Sequence, residues 1–149
     1  MKLSTRGRYA VRAMVDLSQN YGNAPVVLSA VARRQQISEQ YLEHLTGPLK
    51  VAGLLKSVRG ASGGFSLARP PEEIRVSDII HAVEGSTALV DCVDDPKACS
   101  RADACLTRGV WIRAKEAMDE VFDSITLRDL ASPEAMDMCC PTAAHSKSI

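Results

Sequence analysis

The order of short elements between residues 29 and 68 limits this chain more than any other feature. A brief helical stretch, 29–34, carries Ala30, Val31 and Ala32, and Gln36 and Ile37 read as a tight turn. Ser38 then stands as the N-cap of a second helix with Tyr41, Leu42, Leu45, Leu49 and Val51 at helical spacings. Two strand-like runs, 54–58 and 65–68, flank Arg59-Gly60-Ala61-Ser62-Gly63-Gly64. Apolar runs around a glycine-rich tip predict a hairpin. Two helices joined by a tight turn form a helix-turn-helix, and a hairpin directly after the second helix is a wing.

The flanks extend this unit. Tyr9, Ala10, Ala13, Met14 and Leu17 predict a helix capped by Ser4 or Thr5 and ended by the turn cluster 20–25. Beyond the hairpin, Pro70-Pro71 breaks the chain, and Ser77 reads as the cap of a helix over about 78–83 that stops at Gly85. Residues 86–105 read as irregular. A long amphipathic helix is predicted over 106–124, with Val110, Trp111, Ala114, Ala117, Met118, Val121 and Phe122 on one side. The predicted class is mainly α with a small β-hairpin wing. The chain divides into a winged helix-turn-helix region (1–84), a cysteine-containing loop (85–105), a long helix with a short following helix (106–131) and a frayed tail (132–149). Aromatic residues are only 4% of the chain, so its core must be aliphatic.

Two details strain this reading. Ser38-Glu39-Gln40-Tyr41 just misses a capping box, because the third helical residue is Tyr41 and not Glu or Gln. Gly47-Pro48 falls inside the second helix of the unit, where proline removes a backbone donor. A bend or break is therefore expected near 46–48, with a last turn through Ala52 before Gly53.

Charge points to a partner. The net charge is zero, yet residues 1–69 hold ten Lys and Arg against three acids, and residues 70–149 hold eight against fifteen. A basic first half paired with an acidic second half indicates that the first half binds a polyanion. A helix entering the DNA major groove would present Ser38, Gln40, Tyr41 and Glu43, with His44 nearby. Gln40 suits adenine and Glu43 a cytosine amino group. Arg6, Arg8, Lys50 and Lys56 suit phosphates, with Lys2 and Gly60 beside them as DNA-facing positions. Arg59 at the wing tip suits a narrow minor groove. The competing readings are a solvated Glu43, a core Tyr41 and a Gly63-Gly64 that is only a turn.

Other classes are disfavoured. No apolar run approaches the roughly 18 residues of a membrane span, and the first residues lack the apolar stretch of a signal peptide. A cytoplasmic location is expected. There is no Ser/His/Asp arrangement, no paired carboxylates on an ordered element and no lysine after Gly63-Gly64 to complete a phosphate loop, so no enzyme is expected.

Cys92, Cys99 and Cys105 are spaced C-x6-C-x5-C in an acidic stretch that contains Pro96. Soft sulfur ligands suit an iron–sulfur cluster, zinc or copper(I). The spacing is not the C-x2-C pair of ordinary zinc sites. Thiol redox sensing and inert cysteines remain open alternatives.

These residues resemble the Rrf-type winged-helix transcription regulators, and within them the iron–sulfur cluster-sensing branch. The matching stretches are residues 1–14, 37–45 and 53–60, then Gly63-Gly64, and Cys105-Leu106-Thr107 ahead of the helix with Trp111. The resemblance implies a homodimer held by the long C-terminal helix, acting on a pseudo-palindromic operator, with repression the expected direction. It implies a 2Fe–2S cluster on Cys92, Cys99 and Cys105 that alters promoter binding. It places Glu43 in site discrimination and Arg59 in the minor groove. The chain departs from the branch at Arg108, where a histidine ligand is expected, and its first cysteine interval is one residue longer. Arginine cannot ligate. Asp91, Asp94, Asp95, Asp103, Cys139, Cys140 or an exogenous group are the alternatives for a fourth ligand.

Overall fold

In the computed structural model, which describes residues 3–132 and Glu134, the elements follow the expected order. Helix α1 (Thr5–Ser18) starts at Ser4, whose hydroxyl accepts from the Arg6 and Gly7 amides at 3.0 and 3.3 Å. Its stripe of Ala10, Ala13, Met14 and Leu17 is buried. Helix α2 (Leu28–Gln35) and helix α3 (Glu39–Val51) follow, the latter capped by Ser38 through the Tyr41 amide at 3.2 Å.

The turn between α2 and α3 is made by Gln36, which adopts the left-handed region at φ 54° without being glycine. That conformation costs an L-residue about 1–2 kcal/mol. It is held in place because the next residue, Ile37, is buried and donates its amide to Ala32 O at 3.0 Å.

Strands β1 (Leu55–Val58) and β2 (Gly64–Leu67) pair antiparallel, Leu55 opposite Leu67 and Val58 opposite Gly64. Val26, just ahead of α2, pairs with Phe65 through two 2.8 Å backbone bonds and anchors the wing to the helical unit. The approach is so close that a β-carbon at position 64 would sit 2.5 Å from Val26 O, so only glycine fits there.

Helix α4 (Val76–Glu84) packs on α1 and α3. The core they share is aliphatic, as the shortage of aromatics required: Met14, Val31, Leu42, Leu45, Leu49, Leu54, Leu67, Ile74 and Ile79 are all nearly inaccessible. Each such side chain contributes about 1.5–3 kcal/mol of burial. A short helix α5 (Asp91–Asp94), two 3-10 turns (Pro96–Ala98 and Ala102–Ala104), the long helix α6 (Arg108–Ser124) and the short helix α7 (Leu127–Ala131) complete the chain. Residues 125–127 return to the first unit. Val76 N donates to Ile125 O and Leu127 N to Ile74 O, both at 2.9 Å, and Leu127 is fully buried against the core.

Four expectations need correction. Helix α3 is not broken at Pro48 but continues to Val51. Gly47 has no β-carbon to clash with the proline ring, so the residue before Pro48 can stay helical. The end of α3 is instead set by Gly53 at φ 70°, with Gly53 N donating to Lys50 O and Leu54 N to Leu49 O, each at 3.0 Å. Ser77 is not a cap: α4 begins at Val76 with Arg75 at the N-cap position, and Ser77 is buried within the helix. The pairing of 74–76 with 125–127 fixes that start. The long helix begins at Arg108 and not at 106. Residues 86–105 are short turns rather than wholly irregular.

Among the described residues, one charged side chain is buried in this apolar frame. Asp16 on α1 is 2% exposed and takes Arg34 Nε at 2.9 Å, Arg34 Nη2 at 2.5 Å and Gln35 Nε2 at 3.0 Å. Burial pushes its carboxyl up, but these hydrogen bonds and the Arg34 charge outweigh that and hold it below the usual carboxylate range. Because the folded-state pKa is depressed, the contribution is complete above the ordinary carboxylate pKa and is lost as pH falls through the folded value. Asp16→Asn should cost about 1–3 kcal/mol at pH 7 by chemical denaturation, less than a fully buried pair because Arg34 is half exposed. The gap between wild type and variant should stay flat above about pH 5 and shrink below about pH 4. A gap independent of pH would show that the carboxylate charge is not what stabilises the contact.

Candidate nucleic-acid interface and thiol segment

Helix α3 buries Leu42, Leu45, Thr46 and Leu49, which turns Glu39, Gln40, Glu43, His44 and Lys50 outward. Ser38 is exposed at the start of the helix. On β1 and the wing tip, Lys56, Arg59 and Gly60 are exposed, with Gly60 at φ 112°. Arg6 and Arg8 are exposed in the first turns of α1, and Arg8 donates to Thr5 Oγ1 at 3.3 Å. Lys2 lies outside the described residues. A solvent-facing helix flanked by exposed cations has the chemistry to read base edges and to neutralise phosphates.

Tyr41 is placed differently from its neighbours. It is half buried, and its ring meets that of Tyr9 edge-on, centroids 5.5 Å apart at 80°. Not every counted cation faces outward to a polyanion either. Arg34 is committed to Asp16, and Arg12 stacks over the Tyr9 ring at 5.4 Å and donates to Gln35. The missed contact had a signal: Asp16 falls seven residues after Tyr9 and three after Ala13, on the buried stripe of α1, where an acid requires a partner.

The thiols sit on the short turns between α4 and α6. Cys92 lies in α5, while Cys99 and Cys105 each follow a 3-10 turn, and all three are half buried. Arg108, in the first turn of α6, donates through Nε to Cys92 O at 2.9 Å. Cys105 Sγ lies 3.3 Å from Thr107 Oγ1. Hydrogen bonds from the Thr107 hydroxyl and from the Thr107 and Arg108 amides, with the charge of Arg101, hold this thiol below its ordinary value. Three thiols are three of the four soft donors an iron–sulfur centre takes. Yet no three His, Cys, Asp or Glu side chains among the described residues stand close enough to hold a metal ion. The donors fit a cluster, and the segment would have to close around it. Cys139 and Cys140 lie outside the described residues.

The long helix packs on α4 yet leaves part of its apolar side uncovered. No residue of α6 is buried, and Val110 and Val121 are 57% and 55% exposed, with Leu106 just ahead of the helix fully exposed. No helix among the described residues is long and apolar enough to cross a membrane.

A family model described as Rrf2, iron-dependent transcriptional regulator, matches residues 3–133. The chain belongs to the Rrf2 family of transcription regulators. It is 42% identical over 132 residues to the HTH-type transcriptional regulator CymR of Bacillus subtilis (strain 168), covering 89% of this chain and 91% of that one. The solved structure of CymR (YrzC), described as the global cysteine regulator of B. subtilis, aligns with a TM-score of 0.73 at 42% identity over 88% of this chain and 96% of that one. The solved structure of T. potens IscR aligns with a TM-score of 0.72 at 41% identity over 99% and 94%. Within the Rrf2 family the fold is therefore a winged-helix regulator, and the work of the chain is DNA binding rather than catalysis.

The Cys105 environment can be tested directly in this Rrf2 regulator. Iodoacetamide at neutral pH should alkylate Cys105 before Cys92 and Cys99, as read by mass spectrometry of digests. Thr107→Val should slow Cys105 alone, because the thiolate loses the first of its stabilising bonds. Equal rates at all three sites would contradict that assignment.

Proposed function

We propose that this regulator is a homodimer that reads a pseudo-palindromic operator with α3 and the wing, and that the thiol segment is its sensing element. Ser38, Gln40 and Glu43 would face base edges. Lys2, Arg6, Arg8, Lys50 and Lys56 would take phosphates, Arg59 with Gly60 would enter the minor groove, and Tyr41 would stand at the edge of the interface. The division follows function: residues 1–84 touch DNA, 85–105 sense, 106–131 join the copies and 132–149 form the tail. The exposed apolar residues Leu106, Val110, Trp111 and Val121 support the dimer, since a second copy would remove them from water. The protein would act in the cytoplasm, as a repressor of iron–sulfur biogenesis or of related iron and redox genes.

The ligand we assign to the segment is a 2Fe–2S cluster on Cys92, Cys99 and Cys105. The observation that carries this reading is three half-buried thiols on one short segment between α4 and α6. When bound, the cluster would supply an iron- and redox-responsive state. Its binding would be linked to DNA affinity as a coupling free energy between two sites. Arg108 favours a second reading, because it occupies the place of a ligand and bonds the Cys92 carbonyl. In that reading the regulator carries no cluster and answers a thiol oxidant, a small molecule or a partner protein. A relative described as a cysteine regulator is compatible with it.

Anaerobic reconstitution separates the two. The cluster reading requires a brown protein with about two iron and two sulfide per protomer, and colour lost in Cys99→Ala. Iron and sulfide far below that ratio, with operator affinity changed by peroxide, would establish the second reading.

The DNA face makes its own prediction in titrations at several salt concentrations. Lys56→Ala should weaken binding to all duplexes alike and lower the salt slope by about 0.9. Gln40→Ala should cost about 1–3 kcal/mol on a preferred duplex only.

A further inference from the structure

Arg12 belongs to the basic half of the chain, yet its guanidinium is turned onto the protein. It lies over the face of Tyr9, 5.4 Å from the ring centroid. Its Nη2 donates to the Gln35 carbonyl, and its Nε approaches Gln35 Oε1 at 3.4 Å. Gln35 is the last residue of α2, so Arg12 satisfies a carbonyl that the end of that helix leaves without a partner. The same Gln35 donates its amide to Asp16 on α1. Tyr9 in turn meets Tyr41 edge-on. Tyr41 is the third residue of α3, and its own amide is held by Ser38. One connected set of contacts therefore runs from α1, across the end of α2, to the first turn of α3. That turn presents Ser38 and Gln40, with Glu43 one turn on.

We infer that Arg12 is a positioning residue for sequence recognition. Through Tyr9 and Gln35 it sets the angle at which the first turn of α3 meets a base pair. A bidentate side chain discriminates bases only when its two bonds align together. A small rotation of α3 therefore removes discrimination while leaving phosphate contacts, which are tolerant of angle, largely in place. Lysine cannot replace Arg12, because it lacks the planar fork that caps a carbonyl and stacks on a ring at once. The inference rests on α3 being the element that enters the groove.

The test compares a duplex selected from a randomised pool by the wild-type protein with a scrambled duplex of the same length and composition. Dissociation constants are measured at several salt concentrations for wild type, Arg12→Lys, Arg12→Met, Tyr41→Phe, Tyr41→Ala and Gln40→Ala, each first checked for folding by its thermal transition. Arg12→Lys and Arg12→Met should both lose roughly tenfold of the preference for the selected duplex, with affinity for the scrambled duplex and the salt slope unchanged. Tyr41→Phe should retain the preference and Tyr41→Ala should lose it, since only the ring contact matters.

Three outcomes would overturn the inference. If Arg12→Met weakens both duplexes equally and lowers the salt slope by about 0.9 while Arg12→Lys is normal, Arg12 is a phosphate contact. If both Arg12 variants bind as wild type, it is a surface residue. If Arg12→Met does not fold, the decision passes to Arg12→Lys and Tyr41→Ala, and preserved preference in these refutes positioning. Gln40→Ala guards the underlying premise. Preference unchanged in Gln40→Ala means that α3 is not the reader, whereas preference lost there but kept in the Arg12 variants removes only the brace.

Discussion

The buried carboxylate of Asp16 is the contact on which the geometry of the first unit depends. Helix α2 is short and has one buried residue, Val31, so packing alone gives it little hold. Arg34 and Gln35 compensate by gripping Asp16 with three hydrogen bonds from the last turn of α2. That grip places the end of α2, hence the Gln36 turn, hence the start of α3. A buried charge is tolerable only when it is paired and hydrogen-bonded. Asp16 meets this condition with a partner whose outer side still touches water.

Most of the fold was legible because it is written in local signals. The Ser4 and Ser38 caps, the apolar stripe of α1, the glycine-rich tip and the amphipathic long helix all follow from periodicity and turn chemistry. The misreadings have a common origin in contacts distant along the chain. Ser77 looks like a cap by its neighbours, but the strand-like return of 125–127 sets the helix start two residues earlier. Pro48 looks like a breaker until Gly47 is read together with it.

The candidate site was legible in outline and less so in detail. Exposed Gln40, Glu43, Lys50, Lys56 and Arg59 stand where helical and hairpin geometry puts them. Charge counting could not tell which cations face a partner, because Arg12 and Arg34 are engaged within the protein. The three cysteines were visible as donors by type and spacing, but spacing says nothing of distance across turns. Arg108 likewise was visible only as a residue that cannot ligate, and its bond to the Cys92 carbonyl required the fold.

The return of residues 125–127 has a topological consequence. Because Leu127 completes a core begun by α1 and Ile74, the thiol segment and α6 are inserted into the DNA-binding unit rather than appended to it. Both ends of the insertion are fastened, one through α4 and the other through α7. A chimera that exchanges thiol segments between relatives must therefore splice at two seams, before residue 85 and after residue 124. A single junction would leave the reading head with an open gap in its core.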